Sequence, residues 1–107
     1  QAWGADFAKG FDAFKSGDYA TALKEWTPLA EQGVANAQYN LGLMYGKGQG
    51  VIQDNIYAHM WINISALNGY KNADKLREYI AKKMTSADIS TAQRLAREWV
   101  EKKYKGC

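Results

Sequence analysis

Residues 37–51 read AQYNLGLMYGKGQGV, and this stretch contains the strongest indication of local structure in the chain. Ala37, Leu41 and Tyr45 recur at a spacing of four residues, which places them on one face of an α-helix. The glycines that follow predict a turn, because glycine adopts backbone conformations that other residues resist. The stretch therefore predicts a helix that ends in a glycine-rich turn.

The residues after this turn predict a second helix. Asp54 is a favourable first cap, because its carboxylate can accept hydrogen bonds from the free N–H groups of the first helical turn. Ala58 and Trp61 continue the helical spacing, and Gly69 is suited to end the helix. The two helices form a hairpin that must stack on a neighbour to bury its apolar face.

These residues together read A-x-x-x-L-G-x-x-Y-x-x-G-x-G-V-x-x-D, followed by A-x-x-W and A-x-x-G. The pattern resembles the Sel1-like repeat, a relative of the tetratricopeptide repeat. The resemblance implies an all-α fold, a short right-handed α-solenoid of antiparallel helical hairpins that form a tetratricopeptide-like superhelix.

A degenerate copy of the same pattern lies upstream. The second helices align at an offset of 36 residues, which pairs Asp18 with Asp54, Ala22 with Ala58, Ala30 with Ala66, and Gly33 with Gly69. The first helices align at an offset of 32, which pairs Ala5 with Ala37, Phe7 with Tyr39, Gly10 with Gly42, and Phe11 with Leu43. Repetition at a fixed period is typical of stacked helical repeats.

The remainder of the chain predicts a terminal half-repeat and a capping helix. Thr85 or Ser86 can cap the last helix, whose apolar face carries Ala92, Ala96 and Trp99. We expect a single domain over residues 1–107, divided into a degenerate repeat at 4–33, a complete repeat at 34–69 and a terminal segment at 70–107. The predicted helices lie near residues 4–15, 18–32, 35–46, 54–68, 70–83 and 86–104.

Charge is distributed unevenly along the chain. Residues 1–70 hold 4 basic and 6 acidic side chains, whereas residues 71–107 hold 10 and 5. Lysines near helix ends complement the helix dipole, which is the simpler explanation, although Lys82 and Lys102 also suggest weak contact of the C-terminal end with anionic surfaces. We expect no nucleic-acid partner and no transmembrane segment, since no stretch approaches about 20 apolar residues.

No pattern in the chain indicates catalysis or metal binding. His59 is the sole histidine and Cys107 the sole cysteine, so neither a zinc site nor a nucleophile with its base is evident. We therefore expect no catalytic residue, no cofactor and no metal ligand. His59 is expected to be partly exposed or hydrogen-bonded, and Cys107 to be an inert thiol rather than an intermolecular crosslink.

The first residues bear on localisation. The chain begins with Gln1-Ala2-Trp3, which fits a processed secretory precursor or a trimmed chain. Because many short bacterial proteins that the pattern resembles are periplasmic, the resemblance favours a periplasmic or secreted protein from which a signal peptide has been removed.

The resemblance also implies a function. It favours a non-enzymatic protein–protein interaction module or adaptor of the bacterial cell envelope. Two alternatives stay open: a structural subunit of a larger envelope complex, and a hydrolase related to cell-wall or β-lactam chemistry. The second alternative requires a nucleophile and a base that the sequence does not reveal.

The expected binding surface is the concave side, which the first helices of each hairpin line in relatives. An asparagine on the first helix often fixes the backbone of a bound peptide in tetratricopeptide-like modules, and Asn40 matches that polar position. We expect Leu41, Tyr45 and Trp61 to be buried between the hairpins instead. The residues expected to contact a peptide or protein partner are Asn36, Tyr39, Asn40, Leu43, Phe7 and Phe11.

Overall fold

A computed structural model describes residues 4–105 of the chain, with Tyr104 and Lys105 described by their backbone alone. The expectations about processing and the free thiol depend on Gln1, Ala2, Trp3 and Cys107, which lie outside the described residues. The helices of the described part are α1 (Phe7–Lys15), α2 (Tyr19–Glu31), α3 (Ala35–Lys47), α4 (Asn55–Leu67), α5 (Ala73–Ala81) and α6 (Ser86–Lys105). No β-strand occurs between residues 4 and 105. The predicted all-α fold is confirmed, and each predicted helix boundary lies within three residues of the observed one.

Helices α1, α2, α4 and α6 begin beside a capping side chain, whereas α3 and α5 have none. Asp18 accepts a hydrogen bond from the Thr21 N–H at 3.2 Å, and Asp54 accepts one from the Ile56 N–H at 2.9 Å. Of the two residues suited to cap α6, Thr85 makes the contact, since its hydroxyl oxygen accepts the Asp88 N–H. These bonds satisfy N–H groups that have no partner within the helix.

Two glycines follow the ends of α2 and α4, as predicted. Gly33 and Gly69 have φ angles of 96° and 86°, in the left-handed region that favours glycine. They reverse the chain after each second helix, so that α3 packs on α2 and α5 packs on α4. The hairpins α1–α2 and α3–α4 therefore stack side by side in a short solenoid that measures 36 × 33 × 24 Å.

Two further glycines allow the helices of each hairpin to approach closely. A β-carbon added at Gly10 would lie 2.5 Å from Nε1 of Trp26, and one added at Gly42 would lie 2.5 Å from Cγ1 of Ile62. Such distances are far inside van der Waals contact, so a larger residue requires the neighbour to move. Since Gly10 aligns with Gly42 and Trp26 aligns with Ile62, the two hairpins use the same contact.

A buried and a partly buried polar contact of Gln38 join the two hairpins. The side-chain amide of Gln38 is fully buried and donates to the Ala30 carbonyl at 2.9 Å, at the end of α2. The Asn68 amide, after α4, donates in turn to Oε1 of Gln38 at 3.0 Å. Because unpaired buried polar groups are costly, this arrangement fixes the ends of α2 and α4 relative to α3.

The last helix folds back over the second hairpin. α6 packs mainly on α4, with Ala92 and Ala96 buried and the rings of Trp61 and Trp99 in edge-to-face contact at 5.6 Å. Near its C-terminal end, the Lys103 ammonium donates to the Glu31 carbonyl at 3.3 Å. α6 thus spans from α4 to the end of α2.

Two expectations about individual side chains require correction. Leu41 and Trp61 are buried as predicted, but Tyr45 is only partly buried, because it borders a groove beneath α6. His59 was expected to be partly exposed or hydrogen-bonded, yet it is 2% exposed and its Nδ1 has no hydrogen-bond partner. The reason is that α3, α5 and α6 all pack on α4, so nearly its whole circumference is interior.

No helix within residues 4–105 has both the length and the apolar character needed to cross a bilayer.

Candidate functional site

A small apolar cleft lies between α1 and α3, the first helices of the two hairpins. Its volume is about 50 Å³, and it is named the α1–α3 cleft here. Three of the six residues predicted to bind a partner lie together in it. The lining residues are Phe11, Phe14, Trp26, Asn40 and Leu43.

Trp26 forms the base of this cleft because the missing side chain at Gly10 leaves room for the indole. The indole N–H donates to the Phe7 carbonyl at 3.1 Å, which fixes the ring beneath α1. Phe7 stacks on Trp26 at 5.5 Å between ring centroids, and Phe14 contacts it at 5.6 Å. The base of the cleft is therefore rigid and apolar.

The rim of the cleft is accessible and carries one amide. Phe11 is 45% exposed, with the Lys15 ammonium 4.9 Å from its ring centroid, and Leu43 is partly exposed. Asn40 offers both a donor and an acceptor beside these apolar surfaces. This arrangement can hold a small apolar group while the amide pairs with a neighbouring peptide backbone.

The other predicted residues lie elsewhere on the same two helices. The Phe7 ring stacks on Trp26, and the Tyr39 ring stacks on Tyr70 at 4.5 Å between ring centroids. Burial raises the pKa of Tyr39, and the neighbouring Tyr70 raises it further, so the phenol stays neutral at physiological pH. The Asn36 Oδ1 is buried and lacks a hydrogen-bond partner. The structure thus places Phe11, Asn40 and Leu43 in one cleft and these three outside it.

A larger groove, which the sequence did not reveal, lies beneath the last helix. It has a volume of about 400 Å³ and is named the α6 groove here. The lining comes from α2, α3, α4 and α6, and consists mainly of aromatic and aliphatic side chains with a charged rim. Its residues are Thr27, Glu31, Leu41, Tyr45, Tyr57, Met60, Trp61, Leu95, Glu98, Trp99 and Lys102.

Four rings stand in this groove as two pairs. Tyr45 and Tyr57 make edge contact at 5.3 Å, in addition to the contact of Trp61 with Trp99. Burial raises the pKa of Tyr45, and Tyr57 raises it further, so its phenol is a neutral donor and acceptor. Tyr45 and Tyr57 meet within the second hairpin, whereas the contact of Trp61 with Trp99 depends on the return of α6 across α4.

Of the two residues considered for catalysis, Cys107 lies outside the described residues and His59 is buried. His59 lies in the interior of the second hairpin, where burial lowers its pKa below the usual value of 6.5 and the neighbouring Arg77 lowers it further. The Arg77 guanidinium donates to Oδ1 of Asn63 at 2.8 Å and pairs with Asp74 at 3.0 Å. Within residues 4–105, no group of three or more His, Cys, Asp or Glu side chains could hold a metal ion.

Comparison with protein families gives a match over the second hairpin. The family model described as Sel1 repeat matches residues 35–70, which comprise α3, the glycine-rich turn and α4. Comparison with curated proteins finds no match to the chain.

Proposed function

Because this chain is a Sel1-repeat protein, we propose that it is a non-enzymatic interaction module of the bacterial cell envelope, which binds a protein or peptide partner. Sel1 repeats generally mediate protein–protein interaction. The periplasmic or secreted location is the part of the proposal that comes from family resemblance alone. The binding surface is argued from the geometry of the α1–α3 cleft.

The observation that carries the proposal is the exposed phenylalanine beside a preformed cleft. Phe11 retains 45% of its accessible surface although neighbouring rings pack closely around Trp26. A partner gains by covering Phe11 and Leu43, while Asn40 pairs with its backbone. Aromatic side chains, phenylalanine among them, are enriched at the centres of protein interfaces.

The cleft is also preorganised for binding. Its base is fixed by the hydrogen bond from Trp26 to Phe7, and its two walls belong to helices held by packing between the hairpins. A partner therefore bears the entropic cost of ordering the rim side chains but not that of ordering the base of the cleft. A single small apolar side chain of the partner suffices to fill the 50 Å³ cleft.

Site-specific photocrosslinking in the native cell tests the proposed surface. Replacing Phe11 with p-benzoylphenylalanine keeps an aromatic side chain at the cleft and adds a reactive ketone. The matched control places the same residue at Leu67, which is 66% exposed on α4. We expect a discrete protein adduct from position 11 and none from position 67, whereas adducts from position 67 alone would contradict the proposed surface.

The adduct identifies the partner, and Asn40→Ala then tests the amide. We expect its affinity for that partner to fall about tenfold, because the peptide backbone loses a hydrogen-bonding group in a partly desolvated site. The melting temperature should stay close to that of the parent protein. If the Asn40→Ala variant binds the partner as tightly as the parent protein, the Asn40 amide does not contact the partner.

A further inference from the structure

The three first helices carry the same pair of side chains at corresponding places. In each, an apolar residue is followed four positions later by a lysine, and residues four apart lie on the same side of a helix. The pairs are Phe11 with Lys15 on α1, Leu43 with Lys47 on α3, and Tyr79 with Lys83 at the end of α5. They are separated by 32 and 36 residues, the two offsets that relate the repeats. The three lysines are named the lysine row here.

Helix α5 follows α4 in the same way as α3 follows α2. Before α3, the Val34 N–H donates to the Leu29 carbonyl at 3.0 Å. The Tyr70 N–H makes the corresponding bond to the Ser65 carbonyl at 3.1 Å, 36 residues further along the chain. The buried residues correspond as well, and they are Ala37 and Met44 on α3, and Ala73 and Ile80 on α5. The pair on α5 therefore takes the place that the pair on α3 takes.

At both ends of the row, an ammonium group lies above an exposed ring. The Lys15 Nζ is 4.9 Å from the centroid of the Phe11 ring. The Lys83 Nζ is 4.5 Å from the centroid of the Tyr79 ring, and Tyr79 is 57% exposed. Such a contact places the ammonium group near the ring, while the exposed lysine keeps N–H donors accessible. A carboxylate can therefore pair with the lysine while an apolar side chain covers the ring.

The helix dipole alone does not account for the row. A lysine near the C-terminal end is favourable on any helix. Lys15 and Lys47 lie in the last turns of α1 and α3, yet α2 and α4 have no basic residue in theirs. Lys83 follows the end of α5 by two residues. Within the two hairpins, terminal lysines are therefore a feature of the first helices.

The first helices also carry an excess of positive charge that the second helices lack. Residues 7–15, 35–47 and 73–83 together hold 7 basic and 3 acidic side chains, whereas α2 and α4 together hold 1 and 2. A surface of one sign attracts partners of the opposite sign and disfavours those of the same sign. The first helices are therefore complementary to an acidic partner.

On α5, the acidic side chains lie away from the row. Asp74 and Glu78 are five residues before Tyr79 and Lys83 respectively, which places them on another side of the helix. Lys75 is four residues before Tyr79 and lies on its side. The surface around Tyr79 is therefore basic.

The rest of the row is opposed by one carboxylate. Asp12 lies 3.9 Å from the Lys15 ammonium, and because both side chains are exposed this ion pair is weak. Among the described residues, no carboxylate forms an ion pair with Lys47 or Lys83. These two lysines are therefore available to pair with a partner.

We propose that the partner segment is an acidic peptide whose carboxylates pair with the lysine row while its apolar side chains cover Phe11, Leu43 and Tyr79. The inference rests on the proposed function, because it names the chemistry of a partner bound at the α1–α3 cleft and extends its contact onto α5. Neighbouring helices lie about 10 Å apart and an extended peptide advances about 3.3 Å per residue, so carboxylates at every third position match the row.

Titration of the whole protein with short peptides tests the proposal. The probes are capped nonapeptides that repeat Glu-Leu-Gly, Gln-Leu-Gly or Lys-Leu-Gly three times. Glutamine keeps nearly the shape of glutamate without its charge. We expect the glutamate peptide to shift the backbone NMR signals of Leu43 and Tyr79 and to bind roughly tenfold more tightly than the glutamine peptide at low salt. This advantage should disappear at about 1 M salt, where exposed charges are screened.

Two variants locate the binding, and a third serves as the matched control. Lys47→Gln and Lys83→Gln each remove one charge at an exposed position where folding is not at stake. Each should weaken the glutamate peptide roughly two- to fivefold, with the glutamine peptide unchanged. Lys24→Gln makes the same change at an exposed position of α2 and should leave both affinities unchanged.

Several results would overturn the proposal. Equal binding of the glutamate and glutamine peptides, or tighter binding of the lysine peptide, would show that the row does not select carboxylates. An equal loss in Lys24→Gln would show that net charge acts without the row. If phosphatidylglycerol vesicles bind the protein through Lys47 and Lys83 while the glutamate peptide does not bind, the row is a lipid surface instead.

The photocrosslinked partner separates this proposal from the proposed function. If a partner captured at position 11 binds Lys47→Gln and Lys83→Gln as tightly as the parent protein, the acidic chemistry is wrong although the binding surface is correct. If position 11 captures no partner, the proposed surface fails whatever the peptides show.

Discussion

The first and second hairpins share one internal contact but differ on the face beside it. In both, a glycine of the first helix meets a large side chain of the second: Gly10 with Trp26, and Gly42 with Ile62. One residue before each glycine, the hairpins diverge. Lys9 pairs with Glu25 at 3.5 Å in the first hairpin, whereas the aligned Leu41 and Trp61 form part of the apolar core in the second.

This difference shows which features belong to the repeat and which to its surroundings. The glycine contact is set within each hairpin and is therefore present twice. The adjacent face depends on what covers it: α6 covers Trp61, while Glu25 is satisfied by the Lys9 ammonium and by the Asp6 N–H at 2.9 Å. The same backbone geometry thus accepts an ion pair or an apolar pair.

The largest expected effect distinguishes these two faces directly. Leu41→Ala should lower the free energy of unfolding by about 2–5 kcal/mol, because a fully buried leucine leaves a cavity. Lys9→Ala at the aligned position should cost less, about 1–2 kcal/mol, because the Lys9 side chain is 66% exposed but its loss leaves the buried Glu25 carboxylate with the Asp6 N–H as its remaining contact. Urea unfolding of both variants measures the difference. Equal losses would mean that the two hairpins do not differ in this way.

A smaller effect is expected where the hairpins agree. Gly42→Val and Gly10→Val should each cost about 1–3 kcal/mol, because the added atoms collide with Ile62 or Trp26. Gly46→Ala is the matched control on α3, since its β-carbon would meet Ala58 at an ordinary 3.7 Å. That control should be neutral or stabilising by up to about 1 kcal/mol.

Thermal melts of the three glycine variants suffice for this comparison. If Gly42→Val leaves the melting temperature unchanged while Gly10→Val lowers it, the two glycine contacts are not equivalent.

The smallest expected effect is a pH dependence confined to the second hairpin. His59 aligns with Leu23, so only the second hairpin carries a titratable group here. Because burial lowers the pKa of His59 below 6.5, the unfolded chain takes up a proton before the native one as the pH falls. Stability should therefore decline below pH 6.5, with a slope of at most about 1.4 kcal/mol per pH unit, until the native pKa is reached.

His59→Leu provides the comparison for this prediction. Urea unfolding between pH 7.5 and about 5 should show that the variant loses less stability than the parent protein over the same range. Identical pH profiles would assign the acid sensitivity to other groups.

Much of the fold could be predicted because its determinants are local. Asp18, Asp54 and Thr85 cap helices through backbone N–H groups only two or three residues away, and Gly33 and Gly69 reverse the chain through their own φ angles. Such signals can be recognised from a few neighbouring residues. The positions of α1–α6 follow from them and from the spacing of apolar residues.

The cleft and the groove were less predictable than the helices because they depend on contacts between distant segments. Helical spacing placed Phe7 and Tyr39 away from the alanines and glycines that pack the first helices. It could not show that these rings would stack on Trp26 and Tyr70. Similarly, nothing local indicates that α6 returns over α4, which buries His59 and leaves Tyr45 at the border of a groove. Of the six residues predicted on the concave face, Phe11, Asn40 and Leu43 line one cleft because they lie on aligned first helices, and their contact with a partner stays a prediction.

The proposed function requires that two sides of α3 serve different purposes, because Leu41 faces the core and Leu43 lines the α1–α3 cleft. The most direct measurement is the partner affinity of Leu43→Ala, taken beside its free energy of unfolding and that of Leu41→Ala. Leu43→Ala should weaken binding about tenfold while losing less than about 1 kcal/mol of stability, well below the loss in Leu41→Ala. Wild-type affinity in a folded Leu43→Ala protein would contradict the proposed function.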